Sequence, residues 1–289
     1  MTTQSSATFA SLRRHAATAL GALALGVGLA SCDEVAEGDR LVYVQPPQVN
    51  RAVLIEDFTG QRCVNCPKAT DLIHELQQEY GDSAVIAVGI HSGPFGKNAQ
   101  GTQLLSLATE TGNVYYDYWK VDAQPKGVVN RRGVSDYTEW TNIVYRTLQD
   151  TASLSLSIVA DYDEATRTLT ATVGAQGTRG TTDGRLQLWV VEDSITDVQL
   201  MPDGTTNRAY VHNHVFRTAV NGLWGTPFRI EEGETTFLHD GAPTDKAAFS
   251  IALDEAWVPE HVSVVAFVYS DADGVAQAVK APLATEHQP

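Results

Sequence analysis

Apolar positions along the chain fall into three successive patterns. The first is a run without charge, Ala16 to Ala30, made almost wholly of Ala, Leu, Gly and Val and preceded by Arg13 and Arg14. A basic start, a short apolar core and small residues before a cut are the layout of a secretory signal. About fifteen residues fall short of the roughly 20 a helix needs to cross a bilayer.

The second pattern begins at residue 52. Ala52-Val53-Leu54-Ile55 is a continuous apolar run, suited to a strand buried on both faces. Ala69, Leu72, Ile73, Leu76 and Tyr80 follow at helical spacing, and Gly81 is placed to stop that helix. Ala84 to Ile90 is a second buried-type strand. Strand, helix, strand predicts a right-handed parallel βαβ unit. Residues 92–123 are less regular, with a helical stretch expected around Leu104 to Ala108 and an aromatic cluster of Tyr115, Tyr116, Tyr118 and Trp119. Pro125 precedes a short strand, Gly127-Val128-Val129, and Trp140, Ile143, Val144 and Leu148 predict a closing amphipathic helix.

From about residue 151 the period becomes two. Leu154, Leu156, Ile158 and Ala160 alternate with polar residues, as do Leu169, Ala171, Val173 and Ala175. Further strands are expected at residues 186–191, 211–216, 249–253, 262–269 and 275–279. Turns are expected at Asp183-Gly184, Asp203-Gly204, Asp240-Gly241 and Asp273-Gly274. Many short strands with this punctuation predict an antiparallel, Ig-like β-sandwich. The organisation read from the pattern is therefore a signal over 1–31, a tether over 32–50, an α/β domain over 51–150 and a sandwich over 151–289. The tether is acidic at Asp33, Glu34, Glu37 and Asp39 and stiffened by Pro46-Pro47, a composition that resists packing.

The signal ends Leu29-Ala30-Ser31-Cys32, which looks like a bacterial lipobox. That resemblance implies cleavage before Cys32 and acylation of its thiol, the membrane being reached through the lipid. The alternative is an ordinary signal peptide with Cys32 in a disulfide. Loss of residues 1–31 removes two arginines and no acid, so the net charge goes from −15 to −17 over about 258 residues. Such a chain offers no basic patch for nucleic acid and no electrostatic hold on anionic lipid. The acids after Cys32 resemble the surface-export signal of some Gram-negative lipoproteins, or are simply a solvated spacer.

Of the three cysteines, Cys63 and Cys66 remain, spaced C-x-x-C at the start of the predicted helix. An exported protein meets an oxidising compartment, where this pair can close as a disulfide. With no further cysteine, a four-thiolate zinc site within the chain is excluded. A helix N-terminus presents unpaired N–H groups and a partial positive charge. Both favour a thiolate at Cys63, whose pKa should lie below the free value of about 8.5; Arg62 pushes the same way. Cys66, one turn further in, would be the buried resolving thiol. C-x-x-C within a βαβ pattern is a redox signature.

Over roughly residues 50–150 the sequence resembles the thioredoxin superfamily, on the stretch Val53 to Pro67. That resemblance implies Asp57 as the half-buried carboxyl handling the resolving cysteine's proton, its alternative being a strand-end acid facing solvent. It also implies Pro125 as a cis-proline shaping the substrate groove, its alternative being a plain trans loop proline. Departures are Arg62 in place of the usual Trp, Val64-Asn65 in the central dipeptide, and a long stretch between Cys66 and Pro125 expected to lie over the site. Lipobox, tether, I-E-D-F-T-G-x-x-C-x-x-C-P, the later Pro125-to-Arg131 segment and a β-rich second half together resemble the Omp-twenty-eight-related outer-membrane lipoprotein family. The resemblance implies a Gram-negative envelope location, periplasmic or at the cell surface, and a thioredoxin-like domain followed by a sandwich. The expected activity is thiol–disulfide exchange with envelope proteins that carry thiols or disulfides, without a cofactor. Its rival is a binding or adhesion lipoprotein in which Cys63–Cys66 is structural.

Two weaker constellations remain. His212 and His214 fall on one face of the strand expected at residues 211–216, but no third metal ligand is near in sequence, so two strand histidines with structural partners are expected. Asp271-Ala272-Asp273-Gly274 starts like a calcium loop and lacks the distal Glu, so a hairpin turn is expected there.

Overall fold

The apolar run at residue 53 forms a strand with every residue buried. The computed structural model describes residues 49–238 and 249–283; Cys32, the signal, most of the tether and the Asp240-Gly241 turn lie outside them. In chain order the elements are β1 (Val53–Thr59), α1 (Cys66–Tyr80), β2 (Val85–His91), α2 (Glu110–Tyr118), β3 (Lys126–Val129), β4 (Val134–Asp136) and α3 (Trp140–Thr147). Then, among the described residues, come only strands and one 3-10 turn: β5 (Leu154–Asp163), β6 (Thr168–Gly177), β7 (Thr181–Glu192), β8 (Ile195–Leu200), β9 (Thr206–His212) and β10 (Val215–Ala219). The remainder are β11 (Thr226–Glu231), β12 (Thr235–Leu238), β13 (Phe249–Ala252), β14 (Val262–Ser270) and β15 (Gly274–Pro282). Among the described residues no helix is long and apolar enough to cross a membrane.

β1 and β2 pair in parallel and β3 runs antiparallel to β1. Val53 and Ile55 face α1 and α3, packing on Ile73, Leu76, Trp140 and Val144. Leu54 and Phe58 face the other way, with Ile86, Val88, Ile90 and Tyr115 of α2. Cover on both faces explains the unbroken apolar run. Each such side chain contributes roughly 1.5–3 kcal/mol by leaving water.

The boundary expected at residue 151 does not interrupt the main sheet. Its nine strands run β15-β14-β7-β10-β2-β1-β3-β4, with β11 on the rest of β7's edge. The seam is β10 against β2, where Val215 pairs Gly89 and Gly89 N–H donates to His214 O at 2.7 Å. One apolar layer crosses that seam: Trp189, Val191, Phe216, Val265 and Phe267 belong to the same core as Leu54 and Ile86. The described residues, 49–238 and 249–283, accordingly form a single compact unit. The opposite face of β7 and β14 packs Leu186, Leu188, Val264 and Ala266 against Leu154, Leu169, Ala171 and Val173 of a four-stranded sheet of β5, β6, β12 and β13. The period of two read from residue 154 onward is this sheet-on-sheet interface.

Three local expectations are corrected. Residues 104–108 are not helical; the helix starts at Glu110, where Thr109 Oγ1 accepts from Gly112 N at 2.9 Å as an N-cap. Asp183-Gly184 is not a turn but lies inside β7. A Cβ on Gly184 would sit 2.2 Å from Tyr269 O, so the glycine serves close strand approach. Residues 211–216 are not one strand: His214 has φ +58 and separates β9 from β10.

Candidate functional site

The turn between β1 and α1 carries both cysteines. Cys63 N–H donates to Gly60 O at 2.9 Å, and Cys66 is the first residue of α1, followed by Pro67 in its first turn. The two are joined as a disulfide with Cα atoms 5.4 Å apart. Both are buried, 1% and 2% exposed. Gly60 is needed here because a Cβ would lie 2.5 Å from the Phe95 backbone. Arg62 N–H donates to Phe95 O at 3.1 Å, and the Arg62 guanidinium reaches Asn98 O at 3.1 Å. That side chain ties down the 95–98 loop.

Burial of the pair comes in part from a hairpin that the sequence did not reveal. β8 and β9 form a separate two-stranded ribbon, turned at Asp203-Gly204 with Asp203 Oδ1 accepting from Thr205 N at 2.9 Å. Gln199, itself buried, donates through Nε2 to Cys63 O at 2.9 Å. Leu200 N–H donates to Gln61 O at 2.9 Å, and Gln61 Nε2 to Val198 O at 3.3 Å. The expected cover, residues 92–123, meets the cysteine turn at Phe95 and Asn98, and its Ser106 hydroxyl meets Asp197 of β8.

Behind the disulfide is a cavity of about 30 Å3, lined among others by Cys66, Asp57, His91, Gln199, Tyr210 and His212. That is the size of one water molecule. Asp57 stands on β1 opposite Gly89 and is 3% exposed. Burial alone pushes its pKa up to about 7. The rings of His91 and His212 are 5.2 Å apart. Burial, with His212 beside it, pushes His91 down to about 3, and burial pushes His212 down to about 4. Asp57 Oδ1, His91 Nδ1 and His212 Nε2 have no hydrogen-bond partner among the described residues. These three unpartnered groups thus face one small polar space beside Cys66.

Pro125 is buried at the start of β3, after a cis Gln124–Pro125 bond, and does not line that cavity. Gln124 Nε2 donates to Thr59 O at 2.7 Å and Ser92 O at 3.2 Å, joining this turn to the ends of β1 and β2.

The family described as Outer membrane protein Omp28 matches residues 112–287, more than half of the chain. The chain belongs to the Omp28 family. The Omp28 match begins after Asp57, Cys63 and Cys66 and takes in Pro125, the β8–β9 hairpin and most of the main sheet. Among solved structures, HBP35 of Porphyromonas gingivalis is similar with a TM-score of 0.60, covering 83% of this chain and 80% of its own at 16% identity. A protein from Agrobacterium tumefaciens is similar with a TM-score of 0.51, over 84% of this chain and 99% of its own at 13% identity. A domain of the outer membrane lipoprotein Omp28 from Porphyromonas gingivalis is 24% identical over 46% of this chain and 88% of its own, with a TM-score of 0.32. The first two likenesses speak to fold alone. The sequence matches no curated protein.

In this Omp28-family chain His212 and His214 do not act together. His214 Nδ1 pairs with Asp193 at 2.9 Å and lies 3.3 Å from Lys280 Nζ, while His212 turns toward His91. Asp193 is held far below the ordinary carboxylate range: His214 and Lys280 outweigh the opposing effect of its burial. Among the described residues no group of three or more His, Cys, Asp or Glu is arranged to hold a metal. Asp271-Ala272-Asp273 connects β14 to β15 as a tight hairpin.

Proposed function

We propose that this outer-membrane family member is a lipoprotein, exported by residues 1–31 and held in a Gram-negative envelope by lipid on Cys32. Its first half is thioredoxin-like and exchanges thiols and disulfides with envelope proteins at Cys63–Cys66. Its second half is an Ig-like sandwich whose β8–β9 hairpin covers the pair. The observation that carries this reading is Asp57. A buried carboxyl with an unpartnered oxygen lowers stability and gives nothing back as packing or ion pairing. Placed on the same small cavity as Cys66 and titrating near neutrality, it is suited to handling that sulfur's proton.

In the oxidising direction, a substrate thiolate attacks Cys63 Sγ. The Cys63–Cys66 bond breaks, and Cys66 leaves as a thiolate that takes a proton from Asp57. A second substrate thiolate then attacks the substrate's sulfur in the mixed disulfide and releases Cys63. The substrate gains a disulfide and the pair becomes a dithiol. In reverse, the Cys63 thiolate attacks a substrate disulfide and the Asp57 carboxylate accepts the Cys66 proton. Access to Cys63 requires the hairpin to lift, and Pro125 would border the substrate's path.

A second reading is favoured by burial: at 1% and 2% exposure the disulfide is a structural staple. The reduction potential of the pair, measured in glutathione buffers with thiol trapping, separates the two. A value between about −120 and −270 mV supports exchange, and one below about −300 mV supports the staple.

A further inference from the structure

A second cavity, of about 550 Å3, opens on the far side of the main sheet, within the roughly 300–1,000 Å3 of small-molecule sites. It assembles segments distant in sequence: Tyr118 and Trp119 at the end of α2, Trp224 before β11, Arg131 to Gly133 after β3, and the β14–β15 turn. One wall is aromatic. Tyr118 is half exposed, with its ring centroid 4.5 Å from that of Trp224 and 5.1 Å from that of Trp119.

These rings are fixed from beneath by polar groups. Trp224 O accepts from Tyr269 Oη at 2.8 Å and from Arg185 Nε at 2.6 Å. Tyr269 is stacked on Arg131, whose guanidinium carbon is 4.1 Å from its ring centroid. Arg131 is ion-paired with Glu56 at 2.9 Å, both fully buried, and the Trp119 indole faces the same carboxylate. A surface aromatic wall held by a buried ion pair is preorganised, which lowers the ordering cost of binding.

The opposite wall is polar and of mixed charge: Arg132, Ser270, Asp271 and Asp273, exposed or partly so. Arg131 is already neutralised by Glu56. Asp271 and Asp273 oppose an anion, and the Arg132 guanidinium beside them opposes a cation. Donors and acceptors facing flat rings suit a neutral polyhydroxylated ligand, whose hydroxyls bond to the polar wall and whose C–H face lies on the rings. We propose that this cavity binds neutral saccharide, a role independent of the cysteine pair.

The test is titration of the full-length lipoprotein, in a detergent without sugar headgroups, with glucose, galactose, mannose, N-acetylglucosamine and their disaccharides, read by tryptophan fluorescence and by calorimetry. At least one sugar is expected to bind saturably. Trp224→Ala is expected to weaken that binding at least tenfold, and Asp271→Asn or Arg132→Gln severalfold, with the thermal midpoint of the two polar variants unchanged. Trp224→Phe, which keeps an aromatic face, should retain most of the affinity and guards against loss of fold in the alanine variant. Saturable binding by none of these sugars overturns the proposal, as does saturable binding only of choline or of benzoate, used as cationic and anionic probes. Sugar binding unaffected by Trp224→Ala and Asp271→Asn also overturns it.

Discussion

Asp57→Asn removes the carboxyl that burial holds in its neutral form beside Cys66. In the folded protein its pKa is raised from 3.8 to about 7. Between those values the folded state keeps a proton that the unfolded chain has released. The stability this neutral carboxyl allows is therefore fully present below about pH 4 and is lost as pH rises to about 7. Three pKa units at about 1.36 kcal/mol each make the loss about 4 kcal/mol. Asn carries no such loss. The stability of the variant relative to the native protein should therefore climb by about 1.4 kcal/mol per pH unit from pH 4 to 7, then level. The buried amide has its own cost, but that cost does not vary with pH and moves the whole curve vertically. His91 and His212 act in the opposite sense. Their folded pKa values are lowered to about 3 and about 4, so stability falls as pH drops below about 6.5. Both proteins share that loss, and it cancels in the difference. Urea unfolding followed by circular dichroism at half-unit steps from pH 4 to 8, with the disulfide intact, measures it. Parallel stability curves for the two proteins would refute the assignment of Asp57 as a buried, unpaired acid.

Gln199→Ala deletes the hydrogen bond that clamps the hairpin to Cys63 O; at about 1.4 kcal/mol, reduction of the disulfide by dithiothreitol should run about tenfold faster, as thiol-release kinetics would show. Glu56→Gln leaves Arg131 charged and unpaired in the interior and should lower unfolding stability by about 3–5 kcal/mol in urea titration. Gly184→Ala forces a methyl against Tyr269 O and should cost at least about 1–3 kcal/mol, seen as a lower thermal midpoint; an unchanged midpoint would contradict the strand spacing. Lowering pH from 6.5 toward 4 should destabilise the native protein by a net proton's worth, about 1.4 kcal/mol per unit, because two histidine losses oppose one Asp57 gain.

The elements legible in the sequence are those whose packing follows hydrophobic periodicity. Val53 to Ile55 reads as a doubly covered strand because apolar side chains meet helices on both sides, and Leu154 to Ala175 reads as alternating because one face meets another sheet. Asp57 was singled out only through the family resemblance; the C-x-x-C turn and the strand after Pro125 were legible by spacing. The cover over the cysteines was not. None of the apolar residues of β8 and β9 is fully buried; what they bury at the site is Gln199, which donates to Cys63 O, and His212, whose ring meets that of His91. Nor does a periodic pattern say which distant strand takes a given edge. Val85 to Ile90 announces burial, but its partner β10 is found only by folding, since the contact rests on Val215, Gly89 and a backbone reversal at His214. Asp183-Gly184 misleads for a related reason: the dipeptide common in turns here answers a steric demand from Tyr269 O.

The hairpin over the cysteines and the strand that seals β2's outer edge come from one short stretch, residues 195–219, at the centre of the second half of the chain. A fragment ending at residue 150 would therefore present a different object: a sulfur pair open to solvent beside a sheet with a bare, apolar margin. Its thiols would react readily and its margin would invite self-association. Reactivity measured on such a piece would describe the exposed loop, whereas in the whole protein residues 195–219 enclose the sulfurs through Gln199 and Leu200 and occupy the edge of β2 at Gly89.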